Sequence, residues 1–339
     1  MRYILSILLI LAVSCGRNPG AASPEAVSDA PEFFTIPDSS HVVLLSPYGG
    51  PADTIDVSAP MRKIVCMSTS YVAYLDAAGA DSAICGVSGL DYVSSPELLA
   101  RNDVADVGYD AELDYERILA MKPDCVAAYS VSFAEPLYVS KLKSLGVRVI
   151  MVSDHLESHP LARAGYIRLF GALTGHMHEA DSAYNSVMDN YMRIKASVDT
   201  TARKKVLFNI PYGGQWFIPG SENYMSRLVR DAGGEVSGAA EGSRESSVIS
   251  IEQAYALASG SDVWLNPGWC ATRSQLASVN PLFEKFGIGL IFNNTLRTNA
   301  KGGNDFWESG AARPDLVLED LVGIFSGRRD SFHYYIEVK

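Results

Sequence analysis

Two separated segments of the sequence share one pattern, and this pattern constrains the fold more than any other feature. LDYERILAMKPDCVAAY, residues 113–129, has a counterpart in ISIEQAYALASGSDVWL, residues 249–265. Each predicts a short helix that begins near a glutamate and then an apolar strand that is led by an aspartate. Strands alternate with short helices along both halves of the chain. This alternation indicates mostly parallel sheets that are covered by helices on both faces.

A long helical segment lies between the two halves. HMHEADSAYNSVMDNYMRIKASV, residues 176–198, contains neither Gly nor Pro and predicts a helix of about 22 to 25 residues, or about 35 Å. HPLARAGYIRLFGALTG predicts one helix before it that ends at Gly175. The order predicts an α/β fold of two Rossmann-like lobes joined by a single long rigid α-helix. The alternative is a helix that packs along one large domain.

The first residues have the pattern of a secretory signal. Arg2 precedes the apolar run YILSILLILAV, which is shorter than the roughly 20 residues needed to span a bilayer. LAVSC then places small residues before Cys15, which resembles a bacterial lipobox. We therefore expect a signal peptide at residues 1–14, lipidation of Cys15 and a polar, flexible tether over residues 15–40. The alternative is an ordinary signal peptide with a chance cysteine.

Turn signals divide the rest of the chain into five segments. HVVLLSP and DTIDVS flank a glycine turn and predict a β-hairpin. The expected boundaries are 41–60 for the hairpin, 61–156 for the N-terminal lobe, 157–200 for the linking helices, 201–326 for the C-terminal lobe and 327–339 for a tail strand. FHYYIEV in this tail is strand-like and is a candidate partner for the hairpin.

Charge and cysteine content argue against some classes of partner and site. The formal net charge of −11 disfavours nucleic acid and anionic lipid as partners. The six histidines form no cluster with the spacing of metal ligands, so we expect no metal site and no cofactor. Cys66 and Cys85 could form a disulfide in an oxidising compartment, but their apolar, strand-like surroundings favour free, buried thiols.

Three stretches carry a resemblance to a known family. RKIVCMSTSYVAYLDAAGADSAICGVS and YERILAMKPDCV precede the long helix, and GQWFIPGSENYMSRLVRDAGG follows it. Their order resembles the periplasmic substrate-binding proteins of ABC importers for iron chelates and cobalamin, over about residues 62–325. The resemblance implies a ligand cleft between the two lobes and an ABC permease dimer, with its ATPase, as the partner. We expect the protein to be a monomer.

The resemblance also accounts for the paired glutamates. In the family, one exposed glutamate on each lobe docks on arginines of the permease dimer, and Glu116 and Glu252 stand at the matching positions. A charge pair of this kind fixes register and speeds encounter more than it adds affinity. The alternative is that each glutamate only stabilises the first turn of its own helix, where a negative charge favours the dipole.

The carboxyl ends of the predicted strands supply candidates for ligand contact, because ligands of open α/β sheets bind beyond these ends. The candidates are Ser68, Thr69, Tyr71, Tyr92, Tyr109, Tyr129, Tyr212, Trp216, Arg244, Trp269, Arg297 and Trp307. We expect about half of them to line the cleft, with Trp216, Trp269 and Arg297 foremost. The aromatic side chains suit a bulky chelate, and the arginines suit carboxylate, catecholate or phosphate groups.

The predicted ligand is a ferric siderophore, with cobalamin as the alternative and haem third. Haem usually needs an axial His, Tyr, Met or Cys, and only His155 is a histidine near a predicted strand end. An enzyme is disfavoured, because the sequence has no G-x-S-x-G elbow, no Walker A motif and no dinucleotide fingerprint after the first strand. A surface lipoprotein that exchanges ligand with an outer-membrane receptor is a further alternative.

Overall fold

The computed structural model describes residues 28–339. The expected signal peptide and the expected lipidation of Cys15 lie outside the described residues. Within residues 28–339, no helix combines the length and the apolar character needed to cross a membrane. The described chain forms a three-stranded sheet, a two-stranded ribbon and two five-stranded sheets.

The three-stranded sheet precedes the first lobe. Its antiparallel strands are β1 (Phe34–Asp38), β2 (His41–Leu44) and β3 (Asp53–Asp56). β2 and β3 pair as the hairpin that the sequence predicts. Part of the segment expected as tether is ordered, because residues 34–38 form β1, which pairs with β2, and Phe34 packs edge-on against Tyr166, with 4.8 Å between ring centroids.

The N-terminal lobe contains a five-stranded sheet in which all neighbouring strands are parallel, in the order β6-β5-β4-β7-β8. Its elements are β4 (Ile64–Cys66), α1 (Thr69–Ala77), β5 (Ile84–Val87), α2 (Pro96–Leu99), β6 (Ala105–Asp106), α3 (Tyr115–Met121), β7 (Cys125–Ala128), α4 (Leu137–Ser144) and β8 (Val149–Met151). Every residue of β4 and β7 is buried, which explains their uninterrupted apolar sequences.

Three helices connect the lobes: α5 (Pro160–Ala164), α6 (Tyr166–Thr174) and α7 (Met177–Ala196). The single helix expected before Gly175 is divided into α5 and α6 at Gly165. α6 does end at Gly175, which has a left-handed φ of 76°. α7 has 20 residues and is therefore about 30 Å long.

α7 contributes to both hydrophobic cores. Ala180, near its start, belongs to a core cluster of the N-terminal lobe, whereas Tyr184, Tyr191 and Ile194 belong to the core of the C-terminal lobe. Because one continuous helix is buried in both cores, a change in the angle between the lobes must bend this helix or repack one core.

The C-terminal lobe repeats the α/β arrangement. Its elements are β9 (Lys204–Phe208), β10 (Trp216–Ile218), α8 (Tyr224–Asp231), β11 (Gly234–Val236), β12 (Ser247–Ile249), α9 (Ile251–Ala258), β13 (Val263–Leu265), α10 (Arg273–Val279), β14 (Leu290–Asn293), α11 (Ser309–Ala312), α12 (Pro314–Phe325) and β15 (Ile336–Glu337). The sheet order is β11-β9-β13-β14-β15, and β10 and β12 form the separate antiparallel ribbon. The predicted fold class, two α/β lobes joined by a long helix, is confirmed.

The tail does not pair with the N-terminal hairpin, so this expectation is wrong. β15 pairs antiparallel with β14 at the edge of the C-terminal sheet. The buried carboxylate of Asp320 on α12 accepts hydrogen bonds from the backbone N–H groups of His333 and Tyr334, at 2.8 and 2.7 Å. These bonds hold the tail against its own lobe, a contact between distant residues that the local sequence pattern does not reveal.

Candidate ligand-binding cleft

The carboxyl ends of the two large sheets meet through their loops. The loop after β14 crosses to the loop that follows β5, where the Asn299 side-chain amide donates hydrogen bonds to the carbonyl oxygens of Asp91 and Val93, both at 3.0 Å. Lys301 lies 3.4 Å from the Asp91 carboxylate. These contacts join the two lobes, so the loops that follow the other strands are the candidate walls of a cleft.

Glu308 secures the same junction. Its carboxylate is buried and accepts hydrogen bonds from the backbone N–H groups of Ser94, at 2.8 Å, and Ser95, at 3.1 Å. Burial, together with the negative charge of nearby Asp305, raises the pKa of Glu308 to about 7. Glu308 is thus a positioning residue for the loop that carries Tyr92.

Two tyrosines project from the N-terminal wall. Tyr92 follows β5 and Tyr109 follows β6, and their rings lie 6.1 Å apart. Both remain almost half exposed, at 43 and 48%. Gly89 lies against both rings, and a Cβ at this position would stand 2.9 Å from Tyr109 and 3.1 Å from Tyr92. Tyr92 and Tyr109, both predicted from the sequence, therefore lie side by side and partly exposed at one edge of the sheet.

The other predicted residues of the N-terminal wall are less exposed. Ser68 caps α1 by accepting a hydrogen bond from the Ser70 N–H, and Thr69 is the first residue of that helix. Tyr129 follows β7 and packs edge-on against His155, with 5.9 Å between ring centroids. Partial burial raises the pKa of Tyr129 and lowers that of His155, so both rings are held in their neutral forms near pH 7.

The C-terminal wall carries the most exposed aromatic side chains of the predicted set. Tyr212 follows β9 with 84% of its surface exposed, and Trp269 follows β13 with 63% exposed. β9 and β13 are paired neighbours that end at the same level, and a Cβ at Gly268 would lie 2.6 Å from Ile210. The two loops therefore pack together and place both rings at one edge.

Trp307 is half exposed on the crossing loop. Its ring packs perpendicular to buried Phe306 at 4.7 Å. Trp307 therefore stays a candidate for ligand contact beside the junction of the two lobes.

Two of the predicted contact residues are core residues instead, and their assignment to the cleft is corrected. Tyr71 has no exposed surface and donates a hydrogen bond to the Val152 carbonyl at 3.3 Å. Trp216 is 1% exposed, stacks on Trp264 at 6.1 Å and donates from Nε1 to the Phe208 carbonyl at 2.7 Å. Trp264 is fully buried, as its place within a strand predicts.

The two predicted arginines are already paired with carboxylates. Arg244 lies 2.7 Å from Glu32, in the segment before β1, and so connects this segment to the C-terminal lobe. Arg297 lies 2.9 Å from buried Asp305, with its guanidinium over the Tyr334 ring. Both guanidinium groups remain about half exposed, so their contact with a ligand stays a prediction.

The two glutamates occupy matched places outside the cleft. Glu116 is an exposed residue in the first turn of α3, and Glu252 is an exposed residue in the first turn of α9. Hydrogen bonding with Ser250 lowers the pKa of Glu252, so this carboxylate is ionised near neutral pH. This placement is compatible with both docking and simple helix stabilisation.

Three residues of the junction and walls escaped the sequence prediction. His155 was considered only as a haem ligand, whereas its Nε2 lies 3.1 Å from the Ser130 carbonyl, just beyond the end of β7. Asn299 and Glu308 carry no motif, because their partners lie more than 200 positions away in the chain. The only signal in the sequence was a charged residue among apolar and small residues, as Glu308 is in FWESGAA.

No group of three or more potential metal ligands occurs among the described residues. Cys66, Cys85, Cys125 and Cys270 are free thiols within residues 28–339. Burial raises the pKa of the Cys66 and Cys85 thiols. The exposed aromatic side chains at the strand ends are therefore the main chemical feature of the candidate cleft.

Comparison with known proteins identifies the class. A model of the periplasmic binding protein family matches residues 64–278, which is more than half of the chain. The chain therefore belongs to the periplasmic binding protein family. The predicted class, a substrate-binding protein of ABC importers with two lobes joined by a long helix, is confirmed, and the protein is a binding protein rather than an enzyme.

Two relatives are similar to this chain over different shares of their length. An uncharacterised lipoprotein of Methanocaldococcus jannaschii is 23% identical over 296 residues, covering 81% of this chain and 69% of that protein. A vitamin B12-binding protein of Salmonella typhi is 28% identical over 123 residues, covering 36% of this chain and 44% of that protein.

Solved structures share the fold. A periplasmic haem-binding protein from Pseudomonas aeruginosa gives a TM-score of 0.61 at 20% identity, covering 82% of this chain and 98% of that one. The periplasmic vitamin B12-binding protein of Vibrio cholerae gives a TM-score of 0.56 at 15% identity, covering 79% of this chain and 97% of that one. At these identities the likeness shows the fold alone.

Proposed function

We propose that this protein is the lipid-anchored, periplasmic substrate-binding component of an ABC importer and that it captures a ferric siderophore between its lobes. The exposed aromatic side chains after strands of both lobes carry this proposal: Tyr92 and Tyr109 on the N-terminal lobe, Tyr212 and Trp269 on the C-terminal lobe. Aromatic rings offer large, rigid contact areas to a bulky chelate at little cost in side-chain entropy. Cobalamin is the second candidate, because relatives of this chain are named as vitamin B12-binding proteins.

The charges beside the cleft narrow the class of siderophore. Arg244, Arg297 and Lys301 are each paired with a carboxylate, and the loop that carries Tyr109 continues into acidic Asp110 and Glu112. A tricatecholate iron complex is strongly anionic and would meet this surface without a free cation. A neutral or cationic chelate, such as a trihydroxamate or cobalamin, avoids this repulsion.

Isothermal titration calorimetry of the chain from Gly16 onward tests the proposal. We would titrate ferrioxamine B, cyanocobalamin, haemin and ferric enterobactin in parallel. Tight one-to-one binding of ferrioxamine B or cyanocobalamin, with ferric enterobactin at least about tenfold weaker, is the expected result. Tightest binding of ferric enterobactin would refute the charge argument, and no binding by a folded sample would refute the chelate class.

A matched pair of variants tests the aromatic walls. Trp269→Ala should weaken the bound chelate by about 10- to 100-fold, because an exposed ring that becomes buried on binding contributes about 1.5 to 3 kcal/mol. Tyr255→Ala is the control, since this tyrosine is 43% exposed on α9, outside the strand-end loops. Equal affinities of Trp269→Ala, Tyr255→Ala and the wild type would contradict the assigned wall.

A further inference from the structure

The three-stranded sheet of β1, β2 and β3 is called the N-terminal sheet below. A pocket lies where this sheet meets the N-terminal lobe. Its walls are the β2–β3 loop, residues 45–53, and the loop after β7, residues 130–136, and its volume is about 500 Å³. The family match begins at residue 64, so the first of these walls lies outside the matched region. The pocket is therefore built by a segment that the family model does not include.

Two aromatic rings join the walls of this pocket. Tyr48 packs against Phe133 with 4.7 Å between ring centroids, and the Tyr48 hydroxyl donates to the Ser130 carbonyl at 3.3 Å. Leu45 and Met151 add further apolar lining, and the Lys143–Glu135 ion pair lies at the rim. Phe133 is 84% exposed, an unusual state for a phenylalanine in a soluble protein.

The pocket adjoins the edge of the sheet that forms the proposed cleft. Ser130 directly follows Tyr129 at the end of β7, and Ser153 lies just beyond the end of β8. The Ser130 carbonyl contacts both Tyr48 and His155, and the His155 ring packs against Tyr129. The wall of the candidate cleft and the wall of the pocket are therefore formed by consecutive residues, Tyr129 and Ser130.

The size and lining of the pocket indicate what it holds. A volume of about 500 Å³ is in the range of small-molecule sites, about 300 to 1,000 Å³, whereas a stable protein interface needs a surface of roughly 800 Å² on each partner. The aromatic and aliphatic part of the lining suits an alkyl or aryl group, while the serines and the Asp53 carboxylate supply its polar part. Because the pocket adjoins the cleft, an apolar arm of the cleft ligand can reach it.

We infer that the N-terminal sheet forms a side pocket that receives an apolar arm of the ligand bound between the lobes, so that the protein selects chelates with a hydrophobic substituent. This inference rests on the proposed function, because the remainder of the ligand occupies the cleft. Tyr48 and Phe133 are its specificity-determining residues. The charged or metal-bearing part of the ligand contacts the aromatic walls described above.

The first experiment tests the pocket without any chelate. N-phenyl-1-naphthylamine, a neutral apolar fluorophore, is titrated into the wild type and into Phe133→Glu, Tyr48→Asp and Val131→Ser. Val131 is the matched control, since it is 78% exposed on the same loop but does not line the pocket. We expect saturable binding by the wild type and Val131→Ser, and binding at least about tenfold weaker in both pocket variants. Equal binding by all four proteins would overturn the inference.

The second experiment asks whether the pocket serves the cleft ligand. N-acetyl and N-octanoyl ferrioxamine B have the same iron centre and the same net charge and differ in the length of the acyl chain. Methyl- and octylcobalamin form the corresponding cobalamin pair. The long-chain member of the pair that binds should bind at least about tenfold tighter in the wild type, and Phe133→Glu should bring the ratio of the two affinities to about one. Equal affinities for the two members of the pair would overturn the side-pocket inference and leave the proposed function standing. No binding by either pair, with the fluorophore still bound, would refute the proposed function and the assignment of the pocket to it.

Discussion

The helix–turn–strand unit of α3 and β7 and that of α9 and β13 use the same device at corresponding places. In the N-terminal lobe, the Asp124 carboxylate accepts hydrogen bonds from the backbone N–H groups of Arg62, at 2.6 Å, and Lys63, at 2.9 Å, just before β4. In the C-terminal lobe, Asp262 accepts one from Lys205 in β9, at 2.8 Å. Each aspartate fixes the start of the neighbouring parallel strand.

The two units differ in what surrounds them. α3 begins at Asp114, whose side chain accepts from the Arg117 N–H, whereas α9 begins with a capping box between Ser250 and Gln253. The N-terminal lobe gains an added three-stranded sheet, and the C-terminal sheet gains its own tail as an antiparallel edge strand. The two lobes therefore share one arrangement of strands and helices, while the added segments make their surfaces different.

Charge reversal at the two helix starts tests this symmetry most strongly. If these glutamates dock on permease arginines, Glu116→Arg together with Glu252→Arg should abolish chelate uptake by cells that carry the importer, because both pairs would become repulsive. The affinity for the chelate in solution should stay unchanged, since both side chains are exposed on helices outside the cleft.

Single variants sharpen the comparison between the lobes. Equal partial losses for Glu116→Arg and Glu252→Arg would indicate symmetric docking. Glu97→Arg together with Glu284→Arg is the matched control, with one exposed glutamate on each lobe outside α3 and α9. Loss of chelate affinity in the double variant would show that the glutamates support the fold or the cleft rather than docking.

Two tryptophans of the C-terminal lobe allow a core residue to be compared with an exposed residue of the candidate cleft. Trp216→Ala should lower the free energy of unfolding by about 3 to 5 kcal/mol, because it removes a fully buried ring that stacks on Trp264 and Phe286. Trp269→Ala should change it by no more than about 0.5 kcal/mol, since that side chain is mainly exposed. Urea unfolding measures both, and similar losses in the two variants would contradict the assigned positions.

The junction between the lobes should respond to pH. The pKa of Glu308 in the folded protein is raised to about 7 from its ordinary value of 4.5, so its contribution to stability is complete below pH 4.5 and is lost as the pH rises through 7. Glu308→Gln removes this titration. The variant should therefore gain stability relative to the wild type, by up to about 3 kcal/mol at pH 8 and by almost nothing at pH 4.5.

Thermal unfolding from pH 4.5 to 8 measures this difference. Glu157 is also buried with a pKa raised to about 7, so the wild type alone would mix two titrations, and subtracting the variant isolates Glu308. A difference that does not change with pH would contradict the assigned titration.

The smallest effect is expected at the two aspartates that fix the strand starts. Asp124→Asn should lower the free energy of unfolding by about 1 to 2 kcal/mol, and Asp262→Asn by about 1 kcal/mol, because the first accepts two backbone hydrogen bonds and the second accepts one. Asp53→Asn, an exposed residue of β3, is the control. Urea unfolding that ranks the two variants in the opposite order would break the proposed equivalence.

The sequence by itself determined the local elements and their order. Buried parallel strands are continuous apolar runs, helix starts carry capping residues, and a long segment without Gly or Pro forms α7, so these features can be read from neighbouring residues. The rule that ligands bind beyond strand ends also pointed to Tyr92, Tyr109, Tyr212 and Trp269, all of which are exposed in segments that follow strands.

Only the tertiary structure decided which strand-end residues are buried, ion-paired or exposed. Trp216 and Trp269 both follow a strand of the C-terminal lobe, yet one fills the core and the other is exposed, because the ribbon of β10 and β12 turns Trp216 inward. Arg297 is occupied by Asp305, eight positions along the chain, and Arg244 by Glu32, 212 positions away. Burial and ion pairing depend on the partners that the fold brings together, and the spacing of residues along the chain does not encode those partners.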